Sequence, residues 1–260
     1  MIQKPATNSC ASPTMVVIDD DEGPGLLAGK TAVVTGASRG IGAEIAHWLG
    51  TIARVRVALV ARNSHRLEEV AAGISSALTI TADLSLEDDA VAAAGKVMDA
   101  FDGPPDILVN NAGIFQIASV AETSVDDFSR QLSTNLLAPF VFVRAFLPAI
   151  LDRRSGHIVT IGSISDRTIF PGNGAYATTK FGGRALHEVL RAETRGSGIR
   201  ATLVSPSAVD TDIWDAVKFA DGSAPDRVTM LPRSAVANAV MFALTQPAEV
   251  NIDELRLSRS

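Results

Sequence analysis

A doubly wound α/β domain, with helices on both faces of one seven-stranded parallel sheet, is the fold this sequence predicts, and two observations carry it. From Thr31 onward, short β-branched runs alternate with longer segments of helical period, the pattern of βαβ units whose strands are buried on both sides. The 260 residues, 47% of them hydrophobic, suffice for one sizeable core and call for no second. Neither an internal repeat nor an interdomain linker interrupts the alternation.

Taken in order, the strands fall at 31–36, 55–62, 78–82, 106–111, 157–162, 200–205 and 253–257. Helices fill the gaps near 41–50, 64–73, 86–101, 124–151, 175–196 and 234–246, with Pro139 and Pro148 expected to bend or end the long fourth one. Trp48, His157 and His187 fit strand or helix packing. Residues 1–28 mix Pro, Ser and Gly with the acidic run Asp19, Asp20, Asp21 and Glu22, a composition that buries little, so they are expected to form a flexible tail before a domain over 29–260. Right-handed crossovers would lay the strands into one open sheet with ligands at their carboxyl ends.

Composition narrows the function. A net charge of -6 and a pI near 5.2 argue against a general affinity for nucleic-acid phosphates. Cys10 is the only cysteine, and His47, His65, His157 and His187 lack metal-ligand spacing, so neither a disulfide framework nor a metal site is indicated. No uninterrupted apolar run reaches the ~20 residues of a membrane span, and no basic start with an apolar segment opens the chain. A cytoplasmic protein acting on small molecules is the expectation.

After the first strand comes Thr35-Gly36-Ala37-Ser38-Arg39-Gly40-Ile41-Gly42, leading directly into a helix. A turn that brings backbone close to a pyrophosphate needs residues without Cβ, and the helix that follows offers free N–H groups and a positive dipole end. A tight βα connection without ligand would use glycines too, but the position between strand and helix favours a dinucleotide. In dinucleotide-binding domains of this Rossmann type, an acid ~20 residues further on meets the ribose 2′-OH, whereas an arginine there suits a 2′-phosphate. Counting from Gly42 arrives at Arg62, with no carboxylate beside it in sequence, and Arg39 supplies a second guanidinium; both favour NADP(H) over NAD(H).

Tyr176 is the only tyrosine, and Lys180 follows it by one helical turn, so both lie on one face. A phenol ionises near pH ~10, so it works as an acid/base near neutrality only where a cation favours the phenolate. Upstream, the strand ending at Ile161 leads to Gly162-Ser163, which places a hydroxyl at the crevice.

Together these motifs, with Asp83-Leu84 after the third strand, Asn110-Asn111-Ala112-Gly113 ending the fourth and Asn135 in the long helix, resemble the classical short-chain dehydrogenase/reductase family over residues 29–257. The resemblance implies that Tyr176 is general acid in reduction and base in oxidation, and that Ser163 hydrogen-bonds the substrate oxygen. It further implies that Lys180 holds the nicotinamide ribose and supports the phenolate, while Asn135 holds a water that links the lysine to solvent. Gly36, Ser38, Arg39, Gly40, Ile41, Gly42, Arg62, Asp83, Leu84, Asn111, Ala112 and Gly113 would line the cofactor. So would Pro206, Val209 and Thr211, although Ser207 stands where the family usually has glycine.

Residues 212–232, with Trp214, Phe219, Gly222 and Pro225, read as a substrate-covering loop. The carboxyl end resembles that of relatives acting on 3-hydroxy acids and other carbonyls. A homotetramer or homodimer built on the helices at 124–151 and 175–196 is what the resemblance implies. The expected activity is NADP(H)-dependent interconversion of a ketone or aldehyde and an alcohol; the alternative is a catalytically idle NADPH-sensing module.

Overall fold

Strand identity is set by alternation that serves two opposite faces. In the computed structural model, which describes residues 27–215, 217 and 226–260, Ala32 and Val34 point into one buried cluster while Val33 points into another. Val57 and Leu59 likewise oppose Ala58 and Val60. A one-residue slip would exchange every one of these side chains between faces, so the register is strongly specified.

Seven strands result among the described residues: β1 (Thr31–Thr35), β2 (Arg56–Ala61), β3 (Ala77–Thr81), β4 (Ile107–Asn110), β5 (Gly156–Ile161), β6 (Ile199–Pro206) and β7 (Glu254–Leu257). All pairings are parallel, in the order β3-β2-β1-β4-β5-β6-β7. The chain reverses its direction of winding between β1 and β4, which opens a crevice at their carboxyl ends.

Seven α-helices flank the sheet among the described residues: α1 (Gly40–His47), α2 (Ser64–Ala71), α3 (Glu87–Phe101), α4 (Val125–Leu132), α5 (Ala138–Arg153), α6 (Gly174–Glu193) and α7 (Arg233–Leu244). One face is covered by Ile45 of α1, Leu67 of α2 and Val236, Val240 and Leu244 of α7. The other is covered by Val97 of α3, Phe142, Phe146 and Ile150 of α5, and Leu190 of α6. Trp48, His157 and His187 pack as expected, the two histidines fully buried.

The expected tail boundary moves. Residues 1–26, with the acidic run, lie outside the described residues, but Leu27 is buried in the first cluster and Lys30 donates back to its carbonyl at 3.1 Å. The fold therefore includes Leu27 and Ala28, because Leu27 has an apolar side chain to bury.

Neither proline ends the long helix. Helical structure runs unbroken from Val125 to Arg153, but its turn Ser133–Leu137 is a wide π turn. Pro139 lies in the first turn of α5 and has no N–H, so it cannot supply the α-helical donor to the Asn135 carbonyl; the wide turn takes up that misfit. Pro148 sits inside α5 on its exposed side, and the helix continues past it to Arg153. This 29-residue run, whose mean hydropathy reaches 1.7, is long and apolar enough to cross a membrane, which a run-by-run reading passes over. Phe142, Phe146 and Ile150 spend that apolarity on the sheet.

At the amino edge of the sheet, Asp106 ties β1 to β4. Its carboxylate accepts from the Thr31 amide at 2.9 Å and the Thr31 hydroxyl at 3.1 Å, and that hydroxyl accepts from the Asp106 amide at 3.1 Å. Beside it, Arg153 donates to the carbonyls of Pro104 and Pro105, each at 2.9 Å, and of Ser155 at 3.0 Å.

Candidate active site

The chemistry-bearing residues follow the carboxyl ends of six strands: Gly36 after β1, Arg62 after β2, Asp83 after β3, Asn111 after β4, Ser163 after β5 and Thr211 after β6. The glycine turn is built for close approach. Gly36 and Gly40 have φ of +67° and +58°, a left-handed backbone that disfavours a side chain. At Gly42 the constraint is space: a Cβ would lie 2.4 Å from both the Asn111 Nδ2 and the Gly36 carbonyl oxygen.

Asn111 explains that tightness. Its side-chain amide donates to the carbonyls of Thr35 at 2.8 Å and Gly36 at 3.3 Å, while the Thr35 hydroxyl accepts from the amides of Asn111 at 3.0 Å and Ala112 at 3.1 Å. Asn111 thus fastens the end of β4 to the turn after β1. No side chain caps α1, whereas Asn63 caps α2 and Ser124 caps α4. The first N–H groups of α1 are thereby left for an anion, and Gly40 packs under Thr211, whose Cγ2 would be 3.3 Å from an added Cβ. These residues fit a dinucleotide pyrophosphate. Ser38 is partly buried in the turn, Arg39 is exposed at the helix start, and Ile41 packs against the core.

Arg62 departs from expectation in one respect. It is not unopposed: its guanidinium meets the Asp83 carboxylate at 3.4 Å, although its side chain stays 78% exposed. Burial alone would raise the Asp83 carboxyl, but hydrogen bonds from the Ser85 hydroxyl at 2.7 Å and amide at 3.0 Å, together with Arg62, hold it below the usual range. The pairing joins residues 21 apart on neighbouring strand ends, which no local count reveals. Leu84 is buried beside it in the second core cluster.

On α6, Tyr176 and Lys180 share one face, with the Lys180 ammonium 5.5 Å from the Tyr176 ring centroid and donating to the Ile161 carbonyl at 3.1 Å. Ser163 begins a single 3-10 turn, Ile164–Asp166, that packs against α6. Its Oγ accepts from the Ser165 amide at 3.2 Å, which leaves the O–H to donate elsewhere. Asn135 is fully engaged. Its Oδ1 accepts from the Ile114 amide at 2.8 Å, and its Nδ2 donates to the Ile114 carbonyl at 2.9 Å and the Thr179 hydroxyl at 3.1 Å. The side chain therefore clamps the loop after β4, including Gly113, to α6.

Two aromatic residues complete the wall. Phe115 meets Tyr176 edge to face with centroids 4.8 Å apart, and Trp214 meets Phe115 in the same manner at 5.1 Å. Trp214 is fixed by its indole N–H, which donates to the Val209 carbonyl at 3.0 Å. Sequence reasoning named Trp214 but missed Phe115, for which the signal was an aromatic just after Asn110-Asn111-Ala112-Gly113. Phe219, Gly222 and Pro225 lie outside the described residues.

Residues 30–221 match the sequence profile described as short chain dehydrogenase. This chain belongs to the short-chain dehydrogenase family. As a family member it is an oxidoreductase, and its relatives and solved neighbours agree. It is 36% identical over 241 residues to a glycine betaine reductase of Emericella nidulans, covering 89% of this chain but only 19% of that longer protein. A metagenomic short-chain oxidoreductase in complex with NADP superposes with a TM-score of 0.76 at 31% identity, covering 90% of this short-chain dehydrogenase and 98% of the other chain. An alcohol dehydrogenase from the archaeon Thermococcus sibiricus complexed with 5-hydroxy-NADP gives a TM-score of 0.76 at 30% identity, covering 88% and 95%. The seven-stranded parallel sheet is the sheet of these neighbours.

Proposed function

We propose that this chain interconverts a ketone or aldehyde and the corresponding alcohol with NADP(H), using Tyr176 as the acid/base. The observation that carries the reading is the face of α6 that sets Lys180 against the Tyr176 ring, beside a Ser163 hydroxyl whose proton is uncommitted. NADP(H) gains support from the cations Arg39 and Arg62 and from the NADP-bound neighbours.

The turn Gly36, Ser38, Arg39, Gly40, Ile41 and Gly42 would hold the pyrophosphate and, through Arg39 with Arg62, a 2′-phosphate. Asp83-Leu84, Asn111-Ala112-Gly113, Pro206, Val209 and Thr211 would border the rest. When bound, the nicotinamide supplies or accepts the hydride. In the reducing direction Ser163 donates to the substrate oxygen as negative charge develops on it, and Tyr176 delivers the proton. Lys180 favours the phenolate that remains. The water that would relay protons from solvent to Lys180 is best held by the backbone carbonyl of Asn135, as acceptor, which Pro139 deprives of an α-helical donor, since the Asn135 side chain is already committed. Phe115 and Trp214 favour a carbonyl bearing an apolar or aromatic substituent.

Exposed Phe140 on α5 and Phe181 and Val189 on α6 support association through those helices, for which light scattering with size exclusion is the check. The activity is tested by following NADPH consumption over ketones, aldehydes and 3-oxo acids, with Tyr176→Phe alongside. Turnover in the native chain should fall by about 10²- to 10⁴-fold in the variant. A variant that keeps most of its turnover overturns the role of Tyr176, and tight NADPH binding without turnover of any carbonyl favours a sensing module.

A further inference from the structure

A fully buried carboxylate lies three residues beyond Ser163. Asp166 is 1% exposed, yet no step of the reaction described above uses it. Its Oδ1 accepts from Arg167 Nε at 2.6 Å and lies 3.9 Å from Arg184 of α6. Its Oδ2 accepts from the Ser205 hydroxyl on β6 at 2.7 Å. Arg167 and Arg184 also pair with Glu254 of β7, Arg184 at 3.3 Å. Three elements thus converge on one side chain, the turn after β5, β6 and α6, and β7 joins them through the two arginines.

The backbone of Asp166 belongs to the turn that presents Ser163. Its amide donates to the Ser163 carbonyl at 2.9 Å, and the preceding Ser165 amide is the donor to the Ser163 Oγ. On the other side of Ser163, Gly162 faces the same pair: a Cβ there would lie 2.7 Å from the Ser205 Oγ and 3.2 Å from Asp166 Oδ2. The chain on both sides of Ser163 is therefore fitted to the Asp166–Ser205 contact. A buried charge is a costly way to close a surface turn. It gives a fixed direction instead: a carboxylate held from several sides has one position, and so does the turn it belongs to.

We propose that Asp166 is a positioning residue for the reaction, fixing through Ser205, Arg167 and Arg184 the turn that aims the Ser163 hydroxyl at the substrate oxygen. The inference rests on the carbonyl reductase reading, in which Ser163 touches the substrate. Asp166 itself touches neither substrate nor cofactor and acts only through Ser163.

That last statement makes a double-mutant cycle decisive. Asp166→Asn keeps the shape and an acceptor for Ser205 but removes the charge that holds the arginines. Ser205→Ala removes the hydroxyl contact and leaves the charge paired, and it serves where Asp166→Asn folds poorly. Each is made in the native and the Ser163→Ala background, with kcat, KM, NADPH affinity and melting temperature measured on the full chain. Misplacement by about 1 Å is expected to lower kcat by up to about 10²-fold in Asp166→Asn. Ser205→Ala should lower it by several-fold, and NADPH affinity should stay within about twofold in both. In the Ser163→Ala background neither substitution should reduce kcat further. Full additivity there, or a native kcat in either variant with only a lower melting temperature, overturns the positioning role and leaves Asp166 a structural group. An inactive native chain on every carbonyl is a different outcome, because it removes the reductase reading and this inference with it.

Discussion

Replacing Gly42 with alanine adds a single methyl group where the glycine turn, the end of β4 and the start of α1 meet. The added carbon would lie 2.4 Å from both the Asn111 amide nitrogen and the Gly36 carbonyl oxygen. Ordinary contacts between heavy atoms lie near 3.5 Å, so roughly 1 Å of movement is required. Part of the response must come from backbone, since the Gly36 oxygen has no flexible side chain to withdraw. Overpacking of this kind costs about 1–3 kcal/mol. If the Asn111 amide swings aside, its bonds to the Thr35 and Gly36 carbonyls go with it, at about 1–3 kcal/mol more for the polar groups left unsatisfied. The combined loss of roughly 2–6 kcal/mol corresponds to about 5–20 °C in melting temperature for a domain of this size. Gly95 supplies the control. It is exposed on α3 with nothing within 4 Å of an added Cβ, so Gly95→Ala should gain about 0.5–1 kcal/mol from helix propensity. Thermal unfolding and NADPH binding by fluorescence read both variants. If Gly42→Ala melts with the native chain and binds NADPH equally well, the reasoning about this close approach is refuted.

Acid should destabilise the fold through its two buried histidines. Burial, with Arg200 and His187 adding to it, pushes His157 down to about 3, and burial with Arg191 pushes His187 down to about 4. Between pH ~6.5 and those values the unfolded chain binds protons that the folded chain refuses, so stability falls with pH by about 1.4 kcal/mol per unit per histidine. Urea unfolding at about pH 7.5 and about pH 5 should differ by roughly 4 kcal/mol, and His157→Gln should halve the difference; a flat profile contradicts the assignment. Arg62→Asp should weaken NADPH binding by about 10- to 100-fold and leave NADH no weaker; an unchanged preference would show that Arg62 does not read the 2′-phosphate. Trp214→Ala should raise KM for aromatic ketones by about tenfold with NADPH affinity within about twofold, and an unchanged KM would remove Trp214 from the pocket wall.

The sheet was legible in the sequence because strands buried on both faces leave continuous apolar runs such as Val57-Ala58-Leu59-Val60; the edge strands β3 and β7, less buried, carry the signal more weakly but lie where they were expected. The glycine turn and the pair Tyr176 and Lys180 were legible because local spacing alone carries their geometry. What escaped depends on partners far apart in the chain. The Arg62–Asp83 pair, the hold of Asn111 on the glycine turn across 75 residues and the Phe115–Tyr176 contact are made only once strands align. Asp166 left no trace, because the stretch Ile161 to Phe170 is half polar and nothing in it marks one acid as buried, while its partner Ser205 lies 39 residues away. The prolines of the long helix were visible, while their effect was not, because a helix can widen as well as break.

The two edges of the sheet divide the labour of the molecule. Asp106, Thr31 and Arg153 bind the amino edge with backbone-directed bonds, while each group assigned to chemistry stands on the opposite edge. Mutational tolerance should divide the same way. Outside the glycine turn and the Asp166 turn, loops at the carboxyl ends are free to diversify as long as the Asp106 knot stays intact, so an evolving or engineered lineage can change what it acts on without dismantling what keeps it folded.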